Sequence, residues 1–172
     1  MRIILATLLL FLLFIDDAYS LDYQDSIEKK EKVIKCSNFS IRKITSRLPY
    51  SINERDIPRE LTMGHYTDPY LVSEQLFYIR SGEAVNIGGL TDRLPNYKKI
   101  EQKRPYIVSS IQCLGDSSVI FRLWGGGNCD NVCVAIVKAD FNDKGDISSI
   151  SGLTYKEYKE YKYLLAGKEN NK

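Results

Sequence analysis

Between Tyr106 and Ile150 the chain repeats one pattern: a short run rich in β-branched and aromatic residues, then a turn cluster. Nothing else in the sequence constrains the fold as much. Runs of this length joined by short turns pair as sequential antiparallel strands. Tyr106 to Leu114 is the first run, and Gly115-Asp116-Ser117 is its turn. Val119 to Trp124 is the second, with Val119, Phe121 and Leu123 sharing one face. A loop, Gly125 to Asn131, leads into Val132 to Phe141. Asn142-Asp143-Lys144-Gly145 predicts a hairpin turn in which Gly145 takes positive φ, and Asp146 to Ile150 is the fourth strand.

A helix is expected after this meander. Thr154-Tyr155-Lys156-Glu157 has the form of a capping box, with Thr at the N-cap and Glu three residues on. Tyr158, Tyr161 and Leu165 then share a face, and Gly167 is placed to end the helix. Such a helix is the natural cover for one face of an isolated four-stranded sheet. The first half reads as loop-rich. Ser26 to Lys35 opens as a helix anchored by Ile27, Val33 and Ile34, while Pro49, Pro58, Pro69 and Pro95 break up the middle. Leu71 to Ile79 is apolar enough to be buried as either helix or strand. The expected fold class is therefore α+β. An antiparallel β-meander of about four strands in the C-terminal half is packed by a C-terminal helix, beside a loop-rich N-terminal half.

Residues 1–20 read as a secretory signal peptide. Arg2 makes the positive start and Ile3 to Ile15 the apolar stretch, while Ala18 and Ser20 supply the small side chains for cleavage after Ser20. The apolar run stops at Asp16-Asp17, short of the roughly 20 residues a spanning helix needs. No other segment could span a bilayer, so no membrane span is expected after cleavage. Residues 21–172 then form one globular domain of the commonest size. Removal of Arg2, Asp16 and Asp17 leaves 23 basic and 20 acidic side chains, a net of +3. That excess is too small and too dispersed for a nucleic-acid footprint.

Four cysteines in an exported chain imply two disulfides. Hairpin pairing sets Cys113 opposite about Ile120 and Cys133 opposite about Leu123, two strands apart and displaced along the sheet. That separation exceeds the roughly 7 Å a disulfide tolerates between Cα atoms. Cys129–Cys133, closing the Gly-rich loop, and Cys36–Cys113, tying the first segment to the sheet, remain the favoured pairs. Cys36 with a loop cysteine is the rival pairing. A zinc site is disfavoured because only Cys129 and Cys133 are close and the chain has one histidine.

No motif for catalysis stands out, and no metal or cofactor is expected. Trp124-Gly125-Gly126-Gly127-Asn128-Cys129 lacks the Lys-Ser/Thr of a phosphate loop. Asp140 to Gly145 resembles the start of a calcium loop, but Lys144 and Ser151 stand where oxygen ligands belong. His65 has no nucleophile elbow to serve. The expected function is recognition of a protein partner, as in a periplasmic immunity or inhibitor protein. The alternatives are a secreted hydrolase using His65 or a carboxylate pair, and an accessory protein of the cell envelope. A stapled glycine loop offers backbone open to close approach and little ordering cost. The candidate binding residues are accordingly Trp124, Gly126, Asn128, Asp130 and Asn131. Surplus tyrosines on the last helix could meet a partner as well. Asn38-Phe39-Ser40 is a glycosylation triplet.

Mass spectrometry of the exported protein should find Leu21 as its first residue, and intact Met1 in a membrane fraction would overturn the cleavage reading.

Overall fold

The computed structural model describes residues 23–63, 68–90, 93, 106–125 and 134–161. Among these residues eight strands form two four-stranded antiparallel meanders. The first sheet runs β1 (Glu28–Lys35), β2 (Ser40–Arg47), β3 (Leu71–Arg80) and β4 (Glu83–Asn86). The second runs β5 (Ile107–Leu114), β6 (Ser118–Trp124), β7 (Val134–Phe141) and β8 (Ile147–Gly152).

The second sheet follows the repeat seen in the sequence. Its turns are local chemistry. Gly115 and Gly145 both take positive φ, where a Cβ would be strained. The side chain of Asn142 accepts from the backbone N–H groups of Lys144 and Asp146, which makes the 142–146 segment a hairpin turn and uses the oxygens a calcium loop would need. Cys113 stands opposite Val119, one residue from the expected Ile120, because the three-residue turn Gly115–Ser117 pairs Leu114 with Ser118.

The first half departs from expectation. Instead of loops it forms a full second sheet, and instead of a helix Ser26 to Lys35 gives β1. All eight residues of β1 pair with β2, from Glu28 opposite Arg47 to Lys35 opposite Ser40. Its Glu and Lys residues are good helix formers, but a ladder of cross-strand hydrogen bonds overrides a propensity of a few tenths of a kcal/mol per residue. β1 is exposed along nearly its whole length. It has little apolar content because it packs little. β3 and β4 close through Ser81-Gly82, both at positive φ, a two-residue turn of the kind that matches strand twist.

The cover expected from the helix is supplied by the other sheet. One apolar core joins Phe39, Ile41, Leu76, Tyr78 and Ile87 of the first half to Val108, Val119, Phe121, Leu123, Val137, Ala139 and Phe141 of the second. Each large side chain so buried contributes on the order of 2 kcal/mol. At its centre the Tyr78 ring stacks between Phe39 at 4.8 Å and Phe141 at 4.7 Å. Cys36 and Cys113 form a disulfide with 5.6 Å between their Cα atoms, bonding the end of β1 to the end of β5. The enclosed stretch of 77 residues makes the crosslink worth roughly 4 kcal/mol on the chain-entropy account. The helix begins after Thr154 and is described over residues 155–161. None of its described residues belongs to the shared core. Among the described residues no helix is long and apolar enough to cross a membrane.

Gly145 ties the β7–β8 turn to the first sheet. A Cβ there would lie 2.7 Å from Cδ1 of Tyr78, whereas at Gly115 nothing lies within 4 Å. Gly145→Ala should therefore cost about 2–5 kcal/mol, from left-handed backbone and overpacking together, and Gly115→Ala only about 1–2. Chemical denaturation of both variants checks this, and equal losses would refute the close contact.

Candidate functional site

The disulfide ties the two sheets together at one end, so the molecule has two distinct poles. One carries the disulfide and the turns at 37–38, 81–82, 115–117 and 142–145. The other carries the β2–β3 connection, the end of β6, the start of β7 and the chain leaving β8. Trp124 and Gly125, which open the loop singled out in the sequence, belong to this second pole.

Trp124 is the last residue of β6, paired with Ile107 on one side and Val134 on the other. It is half-buried and faces away from the shared core, which the neighbouring Leu123 enters. Gly125 is buried against Tyr106, and an added Cβ would meet that ring at 3.0 Å. The chain thus leaves and re-enters the body through adjacent strands, at a point where a Cβ would press on the Tyr106 ring. Gly126, Asn128, Asp130 and Asn131 lie outside the described residues, as do Cys129, Cys133 and His65.

The β2–β3 connection is the part of this pole that sequence reasoning missed. It is anchored by the buried side chains of Leu48, Ile57 and Leu71. Two short 3-10 turns, Glu54–Asp56 and Arg59–Leu61, carry it across, and the Tyr23 hydroxyl donates to the Asp56 carbonyl at 2.8 Å. Arg47 forms an ion pair with Asp68 at 2.6 Å. It also donates to the Tyr50 hydroxyl at 3.1 Å. The Tyr50 ring meets Tyr70 edge-on at 4.8 Å, and the Tyr70 hydroxyl donates to the Ile52 carbonyl. Tyr50 is therefore held on two sides and still 70% exposed. Nearby in the chain, Met63 is 40% exposed.

The helix start is also at this pole, and its capping box forms as expected. Thr154 donates through its backbone N–H and its hydroxyl to the Glu157 carboxylate, each at 2.7 Å, and the Glu157 N–H returns to the Thr154 hydroxyl. Those donated bonds hold the Glu157 carboxyl below its ordinary range. Tyr155, just inside the cap, is 63% exposed, with Lys159 over its ring at 4.8 Å. Tyr158 and Tyr161 are half-buried.

One further concavity lies between β1, β2 and β5. It encloses about 240 Å³ and is lined by Lys30, Lys32, Lys43, Thr45, Arg47 and the 108–111 segment among others. Most of its cations are already neutralised: Lys30 by Glu28, Lys43 by Glu74 and Arg47 by Asp68. Its floor is structural. Lys43 and Glu74 pair at 2.6 Å. The Glu74 carboxylate also accepts from the Val108 N–H at 2.8 Å, and Lys43 donates to the Val108 carbonyl. The ion pair thus satisfies both backbone polar groups of Val108. This is the polar counterpart of the apolar core, and it reads as a seam between sheets.

A cross-strand cluster sits on the second sheet. Ser118 and Ser149 donate to the Asp140 carboxylate, and Lys138 pairs with it at 3.0 Å. Burial works against the charged carboxylate, but the bonds from Ser118, Ser149 and Lys138 outweigh it, and its pKa is lowered. Both hydroxyls donate to the same carboxylate and so cross-link β6, β7 and β8 through Asp140. Among the described residues no group of three or more His, Cys, Asp or Glu side chains is placed to hold a metal ion.

These features define a class only: an antiparallel two-sheet protein with an inter-sheet disulfide and an aromatic-bearing pole. No family model, no curated protein and no solved structure matches the chain.

The seam is testable by a double-mutant cycle. Lys43→Met leaves a buried, unpaired carboxylate and should cost about 3–5 kcal/mol. Adding Glu74→Gln, which keeps the acceptor for Val108, should recover most of that loss. Denaturation midpoints that are simply additive would disprove the coupling.

Proposed function

We propose that the protein is an exported, disulfide-containing binding protein that recognises another protein through the pole carrying Trp124, in the manner of an inhibitor or immunity protein. One observation carries the reading. Of the four exposed large hydrophobic side chains among the described residues, three, Tyr50, Met63 and Tyr155, lie in segments that leave this pole, while Val33 lies on β1. Tyrosine and methionine are enriched in protein interfaces, where a ring offers large contact area with few rotatable bonds. Tyr50 adds pre-organisation, since Tyr70 and Arg47 hold it before any partner arrives. Gly126, Asn128, Asp130 and Asn131, which lie outside the described residues, are proposed as further partner contacts on sequence grounds. The disulfide Cys36–Cys113 is compatible with export, where such bonds persist. The N-terminal segment would be the address that takes the chain there.

Photo-crosslinking in the native source tests the assignment. A photoreactive side chain placed at position 50 or 155 should capture a discrete partner, and one at position 116 of the opposite pole should not. Tyr50→Ala should then weaken binding to that partner by about thirtyfold, the scale of an interface hot spot, with an unchanged melting temperature. Capture from position 116 alone, or an unaffected affinity, would sink the proposal.

A further inference from the structure

The disulfide pole poses a different question, which turns on Asn38. This residue sits with Ser37 at the tip of the β1–β2 hairpin, where the Cys36 N–H donates to the Phe39 carbonyl at 2.8 Å. An asparagine in a tight turn ordinarily serves the turn itself, by adopting left-handed backbone or by bonding its side chain to nearby N–H groups. Asn38 does neither. Ser81 is the one non-glycine residue at positive φ among those described. The Asn38 side chain makes no hydrogen bond within the described protein, and it is exposed. Ser40, two residues on, likewise has a hydroxyl without a partner, although its backbone is fixed between Lys35 and Ile79. Phe39 between them is explained by packing, since its buried ring stacks on Tyr78. The two polar members of the Asn-x-Ser triplet are thus the two the fold does not use.

The surroundings agree. Ser37, Gly82, Gly115, Asp116, Ser117, Asp143 and Lys144 are all exposed at this pole, and no exposed large hydrophobic residue is found in its described turns. A bulky, hydrated group attached at the hairpin tip would displace no contact and would leave the opposite pole open.

We propose that Asn38 is an N-glycosylation site, acting as acceptor for an oligosaccharide delivered on a lipid pyrophosphate. In the transfer, the bond from the sugar's anomeric carbon to the pyrophosphate oxygen breaks. A bond from that carbon to Asn38 Nδ2 forms, one amide proton is lost, and the lipid pyrophosphate departs. The Ser40 hydroxyl is the recognition element, available while the chain is still unfolded. The inference rests on the export reading above, since the donor is met only on a secretory route.

Two versions of the chain in a eukaryotic secretory host separate the two claims, one with its own residues 1–20 and one with an established cleavable leader. The expected result is a glycan released by peptide N-glycosidase, with conversion of Asn38 to Asp in the peptide map. Asn38→Gln and Ser40→Ala should each abolish the modification, and Ser40→Thr should retain it. An unmodified Asn38 in the secreted protein made with the established leader would overturn the site. Modification with that leader but not with the native segment would uphold the site and refute the export reading.

Discussion

Everything in this molecule depends on two narrow sheets sharing one apolar layer. A four-stranded meander has a face it must cover, and neither half of this chain has enough apolar residues to cover its own. Tyr78 illustrates the solution. Its ring comes from the first sheet, stacks on Phe39 and on Phe141 of the second, and lies against Gly145, a turn residue of the second. One turn glycine and two aromatic pairs therefore meet at one side chain. Such aromatic pairs are each worth about 0.5–1.5 kcal/mol beyond their buried area.

The layer is not uniform along its length. Towards the disulfide pole it is aromatic and dry. Where β5 meets β2 and β3 it becomes polar, and Lys43 and Glu74 replace apolar contacts with a bonded pair aimed at the Val108 backbone. A pair of this kind adds little net stability over well-packed apolar residues, but it is costly to break. It therefore acts on register, holding β5 at one position relative to β2 and β3. The disulfide at the other end of β5 restrains the two sheets covalently. Between them these constraints orient the two poles.

That division suits a protein that presents one pole and shields the other. The turns at the disulfide pole are short and polar. The opposite pole has the long connections, and its exposed rings are framed by neighbours. The functional reading follows from this asymmetry more than from any single residue.

Much of the second sheet was legible because its signals are local. The Asn142–Gly145 turn, the Thr154–Glu157 capping box and the alternation of Val119, Phe121 and Leu123 each depend on residues within a few positions of one another. The first sheet was not legible in the same way. Ser40–Arg47 buries only Ile41 and Ser46, so its periodicity is faint, and Glu28–Lys35 carries a helix-forming composition on an exposed edge. The Ser81-Gly82 turn was the one local signal that could have revealed β3 and β4. Of the candidate site, Trp124 and its glycine neighbour could be picked out by composition. Tyr50 and Met63 could not, since exposure is a property of what packs nearby. The sequence alone determined the local elements, namely the turns, the cap and the C-terminal strands, because their physics is short-range. Only the tertiary structure decided that a second sheet and not a helix covers the core, and that three distant aromatic and thioether side chains share one pole. Those outcomes depend on contacts between residues far apart in the chain, and no window of sequence contains both partners.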